Sequence, residues 1–279
     1  MDECKHGYLV GWIRFERLHS QNQYAQTIDT AKHLIMSTHF VFIHGFLGNA
    51  DMWNEIIHSE FQNQKTSQPQ LSGHGNDRII EFPTIQEFAK DVLNQINILP
   101  NEKLIWIGHS MGGYVALELG KMLPEITAGI ALFHSTANAD TTLKKQDRLR
   151  AIEAAKEHKA LYASNLIDGL FHKPDNHRKE IEKQLHFIQN ISTQTTIACL
   201  EAMRQRDDSF EFLNLSQLPL FYFAGTHDKV LPLDRMQKEW EKLPHAKSVI
   251  AFQSGHMSHI EKPMMACDFF NQIATQFSS

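Results

Sequence analysis

Apolar residues fall along this chain in short unbroken runs, separated by longer stretches with helical spacing. Phe-Val-Phe-Ile at 40–43, Leu-Ile-Trp-Ile at 104–107 and the runs at 129–133 and 218–223 are continuous rather than alternating. A strand with one wet face alternates, so continuous runs predict strands covered on both faces, as in a parallel sheet held between helical layers. The stretches 84–99 and 112–123 read as helices, the second closed by Pro124. A further apolar run at 249–252 predicts another strand, and 8–16 and 24–28 are read as one or two antiparallel strands ahead of the sheet. Together these periods predict an α/β fold with a mostly parallel central sheet flanked by helices.

One segment interrupts the alternation. Between 138 and 211 lie 12 basic and 12 acidic side chains, with one proline, Pro174, and one glycine, Gly169. Such a stretch predicts helices with solvated faces. Strand-like patterning resumes at 218, so the segment is expected to be an insertion in one core: residues 1–134 and 216–279 form the core and 135–215 the helical insertion. Its apolar positions Leu161, Leu166, Leu170, Phe171, Phe187 and Ile188 could line a pocket, but helical spacing reads more simply as the seam docking the insertion onto the core.

Charge and cysteine usage narrow the function classes. The 279 residues carry 27 Lys+Arg against 32 Asp+Glu, a formal charge of −5, and no basic run. This argues against a nucleic-acid binder. No apolar run approaches the roughly 18 residues of a spanning helix, and the stretch at 8–13 stops at Arg14, too short for a signal segment. Cys4, Cys199 and Cys267 are odd in number and far apart, which fits neither a disulfide framework nor a CxxC motif; a reducing cytoplasm is the expected compartment. The 17 histidines show no HExxH or paired Cys/His spacing, so neither a metal nor a cofactor is expected.

The strongest chemical signal is Gly108-His109-Ser110-Met111-Gly112, placed directly after the run at 104–107 and directly before a helical pattern. A sharp strand-to-helix turn would hold Ser110 in a strained conformation at the carboxyl end of the sheet, with glycines at 108 and 112 avoiding collisions. A serine hydroxyl needs a base, and the base needs a carboxylate to orient it. Asp228, past the run at 218–223, is the expected acid. Asp234 competes but opens a helix-like stretch, where an N-cap role is the simpler reading. His256, following Ser254-Gly255 after the run at 249–252, is the expected base, and His259 the rival, read as a wall or packing residue. An oxyanion needs two converging backbone N–H donors; Phe46, in His44-Gly45-Phe46 after the run at 40–43, and Met111 are the candidates. His44, Gly45, His109 and His259 are taken as pocket residues.

These motifs, in this order, resemble the α/β-hydrolase superfamily over roughly residues 40–275. The resemblance is carried by His44-Gly45-Phe46 with Trp53 following, by Leu71-Ser72-Gly73-His74-Gly75, by the turn around Ser110, by Asp228, and by Gly255-His256 followed by Glu261 and Pro263. Gln70, Ser72 and Asp77 depart from the family's usual loop, and 65–70 lacks apolar content, so that strand is expected to be irregular. Where some members place the acid after the sixth strand, this chain reads His134-Ser135, without a carboxylate. Within the superfamily the chain is similar to small bacterial carboxylesterase-like hydrolases with a helical cap after the sixth strand. That resemblance implies a serine hydrolase of carboxylic esters, with a small-molecule or carrier-bound acyl substrate, including a thioester. The alternatives are a carbon–carbon bond hydrolase or a lyase of the menaquinone-synthesis type, for which Arg148, Arg150, Arg204 and Arg206 could bind an anionic substrate, and a ligand receptor on the same fold.

Overall fold

A computed structural model describes residues 37–75 and 83–278; the strands expected at 8–16 and 24–28 lie outside these residues. Among the described residues six strands form one sheet: β1 (Thr38–Ile43), β2 (Lys65–Ser67), β3 (Lys103–His109), β4 (Thr127–Phe133), β5 (Leu220–Gly225) and β6 (Ala246–Ala251). Their spatial order is β2-β1-β3-β4-β5-β6, and every pairing is parallel. The continuous apolar runs have the reason expected of them. Phe40 and Phe42 point into a cluster with Trp53, Phe61, Phe269 and Phe270, while Val41 and Ile43 point the other way, among Leu71, Leu104 and Val115. Successive side chains of a strand alternate faces, so two covered faces require apolar residues throughout.

Helices close both faces. On the aromatic side are α1 (Asn54–Glu60) and, later in the chain, the C-terminal helix Pro263–Gln276. On the other lie α2 (Ile85–Gln95) and α3 (Met111–Met122). The Thr84 side chain caps α2 by accepting the Glu87 N–H at 3.1 Å, a contact worth about 1 kcal/mol. Strand β2 is only three residues long, in keeping with the polar sequence at 65–70.

Between β4 and β5 the chain is helical: α4 (Thr142–Leu170, broken at His158), α5 (Arg178–Gln189), α6 (Thr193–Gln205) and α7 (Phe210–Ser216). Phe171, Ile188, Ile181 and Ile167 of this segment form a small core with Leu47, against which Phe46, Leu166, Leu170 and Phe187 pack. These positions are the seam that docks the helices on the loop after β1. Leu161 is not part of it, being 60% exposed. The chain ends with α8 (Leu233–Trp240), α9 (Ser258–Glu261) and α10 (Pro263–Gln276). Asp234 lies inside the first turn of α8 and makes no cap; its exposed carboxylate sits 3.6 Å from Lys238, one turn on. Among the described residues no helix is long and apolar enough to cross a membrane.

Candidate active site

Five parallel strands deliver polar residues to one edge of the sheet. His44 follows β1, Ser110 follows β3, His134 follows β4, and Asp228 and His256 come from the loops after β5 and β6. Ligands of open α/β sheets gather at this carboxyl edge.

Ser110 sits between the last residue of β3 and the first of α3 with φ 53° and ψ −117°, a conformation that non-glycine residues rarely adopt. The turn is pinned from several sides. The Ser110 N–H donates to the Phe133 carbonyl at 3.0 Å, and the Ser110 carbonyl accepts the Gly113 N–H at 2.9 Å and the Ser135 hydroxyl at 2.8 Å. A Cβ on Gly108 would lie 2.2 Å from the Gly112 carbonyl oxygen, and one on Gly112 would lie 2.2 Å from that of Ile43. The loop after β1 also presses on the elbow: a Cβ on Gly45 would come within 3.2 Å of the Ser110 Cβ. Phe46 therefore begins beside the serine. The Met111 N–H opens α3, where helix geometry leaves amides without an intrahelical acceptor.

The structure brings Asp228 and His256 together. The His256 Nδ1–H donates to Asp228 Oδ2 at 2.6 Å, and Asp228 Oδ1 accepts the backbone N–H groups of Val230 and Leu231, each at 2.9 Å. Burial pushes the Asp228 carboxyl upward, but the charge of His256 and the histidine N–H bonds outweigh it and hold the group well below the usual carboxylate range. His256 Nε2, on the other side of the ring, is buried and has no hydrogen-bond partner, Ser110 included. A buried lone pair without a donor can accept a serine proton once substrate tightens the geometry.

His259 lies beside these groups. Its ring centroid is 5.8 Å from that of His109, its Nδ1 is buried without a partner, and burial together with the nearby His134 and His256 lowers its pKa to about 3. His109 is 5% exposed, and its Nε2–H donates to the His256 carbonyl at 3.0 Å, so it braces the base from below. His44, expected at the pocket, has both ring nitrogens engaged by backbone. It is fully buried, its Nε2 accepts the Leu71 N–H at 3.0 Å, and its Nδ1 donates to the Gly45 carbonyl at 2.9 Å, so it ties the loop after β1 to the loop at 71–75. Gln70 fills the place of the family's aspartate by accepting the Ala50 N–H at 2.8 Å and bonding the His74 carbonyl.

Two residues named in the sequence make contacts at this edge that the sequence reading did not assign. His134 donates its Nδ1–H to Asp228 Oδ2 at 2.9 Å, beside His256. A hydrogen-bond donor immediately after the inner strand β4 was the available signal at this position. Glu261 accepts the Gly255 N–H at 2.6 Å and the His172 N–H at 2.8 Å, joining the loop that bears His256 to the inserted helices. His134, Asp228 and His256 are also the one group of His, Cys, Asp and Glu side chains among the described residues compact enough to hold an ion, their ligand atoms lying within 4.8 Å. Both nitrogens in that group already point their protons at the carboxylate, which is the arrangement of a hydrogen-bonded trio.

The sequence pattern of the alpha/beta hydrolase fold family matches residues 38–263. The chain belongs to the α/β-hydrolase family. Among solved structures, a thermophilic esterase from Thermogutta terrifontis superposes with a TM-score of 0.79 at 24% identity, covering 88% of this chain and 92% of that one. This likeness is one of fold. Among curated relatives of this α/β hydrolase, a pimeloyl-[acyl-carrier protein] methyl ester esterase of Hamiltonella defensa is 22% identical over 228 residues, 79% of this chain and 86% of the relative. A 3-oxoadipate enol-lactonase of Acinetobacter baylyi is 26% identical over 209 residues, 71% of this chain and 74% of the relative.

Proposed function

We propose that the protein is a serine hydrolase of carboxylic esters. The observation that carries the reading is the strained Ser110 at the β3–α3 turn, with a buried, unpartnered His256 Nε2 at the same sheet edge and Asp228 oriented behind it. His256 Nε2 takes the Ser110 hydroxyl proton as Oγ attacks the ester carbonyl. The oxyanion is received by the N–H groups of Phe46 and Met111, which are fixed by backbone and need no reorganisation. The imidazolium, held by Asp228, returns its proton to the leaving alcohol oxygen as the C–O bond breaks, leaving an acyl group on Ser110. Water then attacks the acyl carbon, giving a proton to His256, and collapse releases the acid while the proton returns to Ser110.

The inserted helices are read as a cap over this edge. Phe46, whose backbone begins beside the serine, packs on the apolar seam of Leu47 and Phe171, and an apolar wall at that place suits an acyl chain. The four arginines that a multiply anionic substrate would require are otherwise engaged: Arg206 and Arg148 pair with Asp140 at 2.7 and 3.1 Å, Arg204 with Glu201 at 2.7 Å through its Nε, and Arg150 with Asp147. This weighs against the lyase reading. Short alkyl esters, and the carrier-bound methyl esters named for the Hamiltonella relative, are the substrates to test.

Turnover of p-nitrophenyl acetate, butyrate and octanoate tests the proposal. Ser110→Ala is expected to lose on the order of 10⁴-fold or more in kcat with an unchanged circular dichroism spectrum. Turnover that survives the substitution in a pure sample would sink the reading.

A further inference from the structure

Asp228 serves two histidines. Its Oδ2 accepts the Nδ1–H of His256 at 2.6 Å and that of His134 at 2.9 Å, while Oδ1 is occupied by two backbone amides. We propose that His134 is a positioning residue of the ester-hydrolase reaction, sharing the acid's Oδ2 with His256 so that the carboxylate is fixed in orientation and its pull on a protonated His256 is moderated. The inference rests on the ester-hydrolase reading of this site.

The surroundings of His134 fit a built partner rather than a filler. Its backbone is left-handed, φ 51°, and is held there by its N–H donating to the Phe223 carbonyl at 2.9 Å. The ring stands edge-on to Phe133 with centroids 4.9 Å apart, and its Nε2 pairs with the Ser258 hydroxyl at 2.8 Å. Ser258, donating to that nitrogen, in turn accepts the Ser254 hydroxyl at 2.6 Å. Both ring nitrogens are thus specified. The charged or titratable groups facing this trio are His109 from the end of β3, His259 and Glu261 from α9, and the three members themselves. Burial, opposed by the bonds and charge of Asp228, leaves His134 below the usual histidine range, so near neutral pH it acts as an uncharged donor.

The sign of the effect follows from charge sharing. A carboxylate oxygen accepting two N–H bonds offers less negative charge to each, so without His134 the acid stabilises the imidazolium of His256 more strongly. That places the acid limb of kcat/KM at higher pH. His134→Phe keeps a ring and removes the donor; His134→Asn keeps a donor and tolerates the left-handed backbone. Both are measured with wild type across pH 5–9.5 on p-nitrophenyl butyrate, with active sites counted by a fluorophosphonate. The Phe variant is expected to move the acid limb of kcat/KM upward by about 0.5–1 pH unit, a loss of roughly 3–10-fold on that limb. Activity recovers near pH 9, KM is little changed, and the Asn variant behaves like wild type.

A second readout needs no turnover. In the Ser110→Ala background the proton NMR signal of the His256 Nδ1–H bound to Asp228 is expected to move further downfield on His134→Phe, with the signal assigned by its loss in His256→Gln. An unmoved acid limb with a pH-independent loss, or an unmoved N–H signal, overturns the role of His134. Persistent turnover in Ser110→Ala alone would instead remove the ester-hydrolase reading, and the NMR comparison would still decide whether His134 tunes the Asp228–His256 pair.

Discussion

At the scale of single residues, the candidate site depends on where a side chain is forbidden. Gly108 has backbone rather than side-chain neighbours: an added Cβ would meet the Gly112 carbonyl oxygen at 2.2 Å and its carbon at 2.3 Å. Backbone cannot swing away as the tip of a lysine can, so Gly108→Ala must shift β3 against α3. Overpacking of this kind costs about 2 kcal/mol or more, and the shift would move Ser110 as well. Gly169 gives the opposite case, since a Cβ there meets nothing within 4 Å and the residue lies inside α4. Gly169→Ala should stabilise by about 0.5–1 kcal/mol through the loss of unfolded-chain entropy. Thermal melts of the two variants, with ester turnover alongside, check both: Gly108→Ala should lower Tm by several degrees and lose activity, and Gly169→Ala should raise Tm slightly and keep it.

At the scale of elements, the question is how the inserted helices meet the loop that carries His256. The end of α4 does this directly. The Leu170 carbonyl accepts the His256 N–H at 2.6 Å, and a Cβ on Gly255 would collide with that carbonyl oxygen at 2.5 Å, so the two backbones touch. Glu261 adds a bridge in which one carboxylate oxygen takes the Gly255 N–H and the other the His172 N–H. Both partners are donors, so Glu261→Gln must turn an NH2 toward one of them. Losing one charge-assisted bond and leaving an amide unsatisfied costs about 1.5–3 kcal/mol, expected as a fall in kcat of about tenfold with a lowered Tm, measured by steady-state kinetics and melting. The helical character of the chain between β4 and β5 was legible in sequence because charge density and the scarcity of glycine and proline mark it. Its docking was not, because contacts between residues such as Leu170 and His256 depend on tertiary approach and leave no period in the chain. The same distinction separates Asp228 from His134. The first is recognisable by type and by position after a strand, whereas the second becomes visible only when the β4 and β5 edges are placed side by side.

At the scale of the whole molecule, the sheet was readable from its continuous apolar runs, but the number of histidines the fold keeps uncharged was not, because burial is a property of the assembled structure. His44 and His74 are both fully buried. Burial, with the mutual repulsion of the two rings acting on His44, lowers them to about 3 and about 4 respectively. Their role is to hold the loop at 71–75 against the end of β1, where His44 receives the Leu71 N–H. In the unfolded chain each titrates near pH 6.5. The folded state therefore binds fewer protons than the unfolded state between about pH 3 and pH 6.5, and stability must rise with pH across that window. The contribution is fully present above 6.5 and is lost as pH falls. At about 1.4 kcal/mol per pH unit for each group, moving from pH 7 to pH 5 should cost roughly 4 kcal/mol from this pair. Urea unfolding at the two pH values measures the loss. His44→Gln supplies an acceptor near the position of Nε2 and removes one titration, so it should roughly halve the pair's share of the pH dependence while lowering stability at pH 7. An undiminished pH dependence in that variant would assign the acid sensitivity to other buried groups, with His109, His134 and His259 next to be tested because burial depresses each of them as well.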